Sequence, residues 1–462
     1  MLPQKTLNLY PDVSKEGKQQ IALYSTPGLK DFSTVGTGSI RGSIDFDGIL
    51  YMVVSDTLYR VNSFGQGTAM STTLSTVSGR VHMVHNGRDS NKADGGQIFI
   101  VDGTQGYIYK DNPGSLSVIT DGNFPANPST NAFMDSYFLV NEASSNGRFR
   151  QSSSYDGTVW VSEDYDTAER DSDKLQVIIP SNRILWLLGE HTAEPFWNSK
   201  KIYGTSFEPV QAGFSQFGCI SADTAVQISG TVLWLAQNHE GAGLVVGTDG
   251  VKPSIISEAI VNELQDLTAL EDSYAWSYQY KGHVFYVLTF VTDKRTFVYD
   301  LTTQMWHEMD DDVLGYHRSF THTFVYGKHI IGDPSTNKTY TLDWGTYTNA
   351  GNKITRLRRS RIIHADGMSL KHYSVWVDFK MGVGNTDVAD PKVTLRSQAD
   401  NKNWTPERTR SLGKIGQQNF LCIWRKMGRT HAMTYEIKVT DPCEVTILGA
   451  YANIQSTEAV TD

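Results

Sequence analysis

The chain has 462 residues, 39% hydrophobic and 11% aromatic, with 40 glycines and 20% charged residues. That length can bury a large core in two or three domains, and the low charge content excludes a disordered or coiled-coil chain. The net charge of −9 divides unevenly: residues 1–350 hold 24 Lys and Arg against 39 Asp and Glu, and residues 351–431 hold 16 against 6, so an acidic body and a basic module with different neighbours are expected.

Residues 1–38 carry two apolar patches with proline stops, Leu7-Asn8-Leu9-Tyr10-Pro11 and Ala22-Leu23-Tyr24-Ser25-Thr26-Pro27-Gly28-Leu29. They read as an extended arm that packs on its own body or on a neighbouring subunit. A repeat then begins. Apolar strands start near residues 49, 97, 136, 183, 231, 283 and 329, each followed by a break and a second, alternating strand. A period of 40 to 50 residues in an all-strand chain predicts a β-propeller. Each small sheet has two apolar faces, and stacking the sheets in a ring buries both. The count is seven blades, or six if the irregular third unit is an insertion; a pair of β-sandwiches is the alternative. The best-marked unit is 272–309, read as one sheet with strands over 275–280, 284–290, 296–299 and 306–309. A helix is predicted over 253–265, with Ser257 as its N-cap.

After residue 350 the composition turns basic. Strands are predicted within 355–363 and over 373–381, 392–397, 420–425, 434–440 and 445–452, which suggests a small β-sandwich. The expected organisation is an arm (1–38), a propeller (39–350) and a sandwich module (351–462), all-β throughout.

No reaction centre stands out. The run Ser154-Tyr155-Asp156-Gly157-Thr158-Val159-Trp160 approximates an Asp-box but lacks one residue between Asp and Gly; it reads as a hairpin turn with a buried Trp. His82 and His85 lack a third metal ligand, and residues three apart on a strand face opposite sides. Asp310-Asp311-Asp312 reads as a solvated acidic loop. Glu190 and Glu194 are the nearest approach to a glycosidase carboxylate pair, with spacing as their sole support. No phosphate-binding glycine loop or nucleophile elbow occurs. Cys219, Cys422 and Cys443 are odd in number and far apart, so they read as buried thiols of a protein made in a reducing compartment. No apolar run is long enough for a membrane helix, and the first residues lack the pattern of a secretory signal. No catalytic residue, cofactor or metal is therefore expected.

The ordered set of patterns resembles the podovirus tail hub or nozzle family, also called packaged-DNA stabilization proteins. It is carried by the two arm patches, Leu58-Tyr59-Arg60-Val61, the run from Leu185 through Trp186 and Gly189 to Glu194, Phe217-Gly218-Cys219, and the run from Val232 to Gln237. The 272–309 unit, Trp424-Arg425-Lys426-Met427-Gly428-Arg429 and Thr440-Asp441-Pro442 add to it. The acidic loop 163–173 and the third unit depart from the family pattern.

The resemblance implies a virion protein assembled in the host cytoplasm, and not an enzyme. It implies a homo-oligomeric ring, usually a hexamer, below the portal and its adaptor. Such a ring extends the channel for double-stranded DNA, helps retain the packaged genome, and anchors tail fibres, tailspikes or a needle. An acidic lumen would let the duplex slide, because phosphate contacts add affinity. Arg356, Arg358, Arg359 and Arg361 would then serve a partner or inter-subunit contact rather than grip nucleic acid. The competing function is a carbohydrate-active or carbohydrate-binding propeller of the depolymerase or sialidase kind. That chemistry needs clustered arginines for a carboxylate, and those of the propeller region are scattered.

Overall fold

A computed structural model describes residues 4–13, 21–88, 95–168, 173–201, 204–365, 367–417 and 420–457. Part of the arm and residues 169–172 of the acidic loop lie outside them. The chain falls into two compact units: residues 31–294 with 318–341, and residues 1–30 with 295–317 and 342–462.

The larger unit is a succession of antiparallel meanders. The first sheet is Ile40–Phe46, Ile49–Val54, Thr57–Val61 and Gly67–Thr73; the second is His82–His85, Gln97–Val101, Gly106–Lys110 and Ser115–Val118. The third is Asn131–Met134, Tyr137–Asn141, Arg148–Ser153 and Asp156–Thr167, and the fourth is Leu175–Ser181, Ile184–Gly189, Ala193–Asn198 and Phe207–Pro209. The fifth is built on Val226–Ile228, Thr231–Asn238, Gly241–Asp249 and Lys252–Ile255, with Gly218–Cys219 beside it. The hairpins Tyr274–Tyr280/His283–Phe290 and Thr321–Val325/Lys328–Gly332 follow.

The period-2 alternation explains how these sheets stack. In Ile49–Val54, Tyr51 and Val53 face the second sheet, while Leu50, Met52 and Val54 face Val325 and Ile330. In Gln97–Val101, Ile98 and Ile100 pack on the first sheet, and Phe99 and Val101 on the third. In Ile184–Gly189, Leu185 and Leu187 face the third sheet, and Trp186 and Leu188 the fifth. Each such side chain contributes roughly 1.5–3 kcal/mol by leaving water. The fifth sheet meets the 274–290 hairpin where the Tyr286 hydroxyl donates to the Thr224 carbonyl at 2.8 Å. That hairpin meets Thr321–Val325 through Trp276 stacked on His322 at 5.2 Å and Tyr274 edge-on to Phe320 at 4.8 Å. The packing runs in a circuit that returns to the first sheet.

The seven predicted strand starts agree with Ile49, Gln97, Tyr137, Ile184, Thr231, His283 and Lys328 to within one residue. Each of these strands also has a partner just upstream, which the sequence pattern marked only before His283, at 275–280. The predicted helix is corrected: Lys252–Ile255 is a strand, and only Val261–Gln265 is α-helical, after a 3-10 turn at Glu258–Ile260. Ser257 caps nothing; its hydroxyl accepts the Val245 N–H at 2.9 Å. The adjacent β-branched Ile255 and Ile256 favour the extended ladder with Gly241–Asp249.

The smaller unit is two facing sheets. One runs Leu9–Val13, Ile21–Ser25, Thr446–Thr457, Ser369–Phe379, Cys422–Thr430. The other runs Arg295–Asp300, Met305–Glu308, Lys5–Leu7, Arg356–Arg359, Ala432–Val439, Lys392–Ala399, Arg408–Ser411. Between them lie Leu9, Val375, Val377, Val393, Leu395, Trp424, Ile437 and Ile447. The arm therefore supplies strands: Lys5–Leu7 pairs with Arg356–Arg359, and Ile21–Ser25 pairs with Thr446–Thr457. The four strands predicted within 272–309 are all found, at Tyr274–Tyr280, His283–Phe290, Arg295–Asp300 and Met305–Glu308, in that order in their sheet.

Candidate functional site

The arginine strand Arg356–Arg359 lies between Lys5–Leu7 and Ala432–Val439, so neither of its edges is open. Arg356 is 1% exposed and donates to the carbonyls of Ile354, Asp441 and Tyr347 at 3.3–3.4 Å. Burial lowers its pKa to about 10. Arg358 donates to the Thr6 hydroxyl, and burial likewise lowers its pKa to about 10. Arg359 grips Glu436 Oε2 through Nε and Nη2 at 2.9 and 2.7 Å, while Arg396 Nε takes Oε1 at 2.6 Å. Both guanidiniums also lie over the Trp404 ring. Arg361 alone of the four predicted arginines is exposed, with its Nε on Gln4 Oε1 at 3.3 Å. Strand alternation predicted one cationic face; it could not reveal that residues 5–7 would pair along this strand.

The Asp310–Asp312 triplet is solvated only in part: Asp312 is exposed and Asp310 half-buried. Asp311 is fully buried, and Asp312 meets Lys353 at 3.4 Å. Asp310 Oδ1 accepts Asn8 Nδ2 at 2.5 Å, and Asn8 Oδ1 accepts the Asp310 N–H at 3.0 Å. Burial lifts the Asp310 pKa to about 6 against the Asn8 bond. The signal available was Asn8 itself, a polar residue inside an apolar run.

In the larger unit, the first strands of several sheets converge on a small polar cavity of about 160 Å³ lined by Arg80, His82, Asp223, Thr321 and His322 among others. Arg80 Nη1 donates to the Asp223 carbonyl at 3.0 Å and to the Ala275 carbonyl at 3.2 Å, and its guanidinium lies over Phe320 at 5.4 Å. His82 Nε2 meets Asp223 Oδ1 at 3.0 Å. Burial works against the Asp223 carboxylate, but the His82 bond and the Arg80 charge hold its pKa below the ordinary value. His322 is pushed down to about 3, first by burial and then by its neighbour His329. Arg80, just before the second sheet, and His82 within it thus tie together elements from opposite parts of the circuit and span its centre.

The other sequence candidates are structural. His82 turns to Asp223 while His85 packs on Phe46 at 5.5 Å. Asp156 organises its turn by accepting Thr158 N–H and Gln97 Nε2, and Trp160 Nε1 donates to the Gly157 carbonyl at 2.8 Å. Glu194 is buried in the strand Ala193–Asn198, and Glu190, half-buried, lies in the turn before that strand. Asp173, Glu190 and His191 come together as a candidate cation cluster. However, the Asp173 carboxylate already accepts the N–H groups of Glu190, His191 and Thr192 and the Thr192 hydroxyl. It is a loop clamp, with little acceptor capacity left for an ion. The three cysteines are buried free thiols; burial raises Cys219 and Cys422 to about 12 and Cys443 to about 11. Such thiols are inert at neutral pH.

Residues 3–347 match the family model described as Bacteriophage P22 Gp10, beta-propeller, and residues 355–455 match Bacteriophage P22 Gp10, beta-sandwich. No curated protein matches the chain. Among solved structures it is similar to the computationally designed protein Ika8, at 11% identity and a TM-score of 0.42, over 68% of this chain and 99% of that one. It is also similar to the extracellular domain of BT4673 from B. thetaiotaomicron, at 10% identity and a TM-score of 0.45, over 92% of this chain and 62% of that one. The P. gingivalis type-IX secretion component PorZ matches at 9% identity and a TM-score of 0.40, over 74% of this chain and 44% of that one. At these TM-scores the likenesses bear on neither fold nor function.

Proposed function

The chain belongs to the bacteriophage P22 Gp10 family of phage tail structural proteins, a β-propeller followed by a β-sandwich, and on that premise we propose that it forms the hub or nozzle ring of a short-tailed phage. The ring is a homo-oligomer, a hexamer by family resemblance, set below the portal and its adaptor. It extends the DNA channel, retains the packaged genome and anchors fibres, spikes or a needle. The family is structural, in keeping with a non-enzyme and with a place in the virion. Buried reduced thiols support assembly in the host cytoplasm.

The observation that carries the reading beyond family membership is the closed centre of the larger unit. A cavity of about 160 Å³ crossed by Arg80 cannot pass a duplex, whose major groove alone is ~12 Å wide. A DNA duct built from this chain therefore lies between copies, which requires a ring. The circuit of packed sheets supports seven blades, and the bounds of the two family matches support a division near residue 350. The acidic residues of the body suit a lumen that repels phosphate. Of the four predicted contact arginines, Arg361 is the one whose exposure favours a partner role. The carbohydrate reading gains nothing: Arg80 is committed to carbonyls, and Arg148 and Arg150 to Glu142 at 3.8 and 2.9 Å.

The test is to make particles without this chain. Heads should fill and then lose DNA, and tails should lack their terminal appendages. Particles that keep their DNA and a complete tail would overturn the proposal.

A further inference from the structure

The sandwich has one outward face whose composition is not that of a solvated surface. In Ser369–Phe379 and Cys422–Thr430, Val375, Val377, Cys422 and Trp424 point into the core. The intervening residues point out. Register places Lys371 beside Arg429, Ser374 beside Arg425 and Trp376 beside Ile423. On the other side Trp376 is paired with Tyr451, and their rings stack at 5.3 Å and 18°. Lys371 Nζ lies 4.8 Å over the Tyr373 ring. Tyr373 and Tyr451 are 39% and 41% exposed. The result is an aromatic and aliphatic row at one end of the face and a cationic row at the other. Trp, Tyr and Arg are the side chains enriched where proteins bind each other.

The rim strand of this sheet is blocked for strand addition. Arg408 Nη2 donates to the Arg425 carbonyl at 2.8 Å, and Arg410 Nε to the Ile423 carbonyl at 3.2 Å. Carbonyls capped in this way do not offer a ladder to an incoming strand. A partner must use the face.

Charge selects the occupant. In the larger unit, residues 258–272 hold Glu258, Glu263, Asp266, Glu271 and Asp272 and no Lys or Arg. Glu258, Asp266 and Glu271 are exposed around the short helix Val261–Gln265. We propose that the sandwich face bearing Lys371, Arg425, Arg429, Trp376 and Tyr451 docks on the acidic segment 258–272 of a second copy of this chain. The two surfaces differ, so the contact is head-to-tail, the type of interface that generates rings. This inference rests on the ring reading and names the surfaces that build the ring.

The test uses full-length protein supplied to phage that lack their own copy, with occupancy of purified tails measured by quantitative mass spectrometry and ring images by electron microscopy. The reversal K371E/R425E/R429E, and separately E258K/E263K/D266K, should each reduce occupancy at least about tenfold, because like charges then face each other. Both sets in one chain should restore it to within about twofold. The substituted groups lie on the surface, and unchanged thermal melting of each variant would exclude misfolding as the cause. Wild-type occupancy of either single set overturns the inference and leaves the ring reading standing. So does a combined chain that fails to recover. Normal occupancy with loss of packaged DNA would assign the face to DNA, and also overturns it. No multi-copy ring of wild-type chain in tails would instead remove the reading on which the inference rests.

Discussion

Asn8 uses both ends of its side chain, and its backbone sits at φ 53 to do so. Its amide donates to Asp310 and to the Thr355 carbonyl at 2.9 Å, and its oxygen accepts the Asp310 N–H. Asp310 sits among Glu308 and Asp312, with a pKa raised from 3.8 to about 6. A raised carboxyl pKa means the folded state holds its proton more tightly. Its contribution to stability is full below about pH 3.8 and is lost as pH rises through about 6. Asp310→Asn keeps the acceptor for Asn8 and removes the ionisation. The variant should therefore be more stable than the parent at pH 8, by about 1–2 kcal/mol, and the gap should close at pH 4. Thermal melts at the two pH values check this; an equal shift at both would refute the assignment. None of this was legible from Asp310-Asp311-Asp312 alone, since a run of acids reads as solvated until a buried partner from residue 8 appears. The arginines err in the same direction: sequence places Arg356, Arg358 and Arg359 correctly on a strand and Arg361 falls just past it, but Glu436 and the Asp441 carbonyl come from segments distant in the chain.

Elements were more legible than side-chain roles, and the reason is periodicity. The apolar strand of each repeat is buried on both faces and announces itself; Ile49–Val54 and Ile184–Gly189 have five of six residues buried. The strand before most of them, such as Ile40–Phe46 with Arg41, Ser43 and Asp45, is half polar and has no comparable signal; the aromatic Tyr274–Tyr280 is the exception. The segment 253–265 fits either period, and the ladder to Gly241–Asp249 decides it. Because one residue serves one sheet-to-sheet contact, a single truncation should weaken one seam. Trp186 is 1% exposed and lies 6.1 Å from Trp234 across the fourth and fifth sheets. Trp186→Ala should cost about 3–5 kcal/mol, seen as a lower denaturant midpoint with an unchanged slope for the transition that unfolds the larger unit. A loss below about 1 kcal/mol would mean the seam is not packed as described.

At the scale of the molecule, the acidic body and basic module of the sequence correspond to chemistry rather than to isolated patches. The basic module spends Arg356, Arg359 and Arg396 internally on carbonyls and Glu436 and presents Lys371, Arg425 and Arg429 outward. The family match spans both segments, while the centre of the larger unit is crossed by Arg80 and its partners. A structural tail protein with a closed propeller can surround DNA only as a ring of copies. Electron cryo-microscopy of the DNA-filled virion tail tests that most directly. Several copies of this chain should encircle the DNA, with each propeller axis closed and empty of nucleic acid. DNA density running through a single propeller, or a tail in which this chain forms no ring, would contradict it.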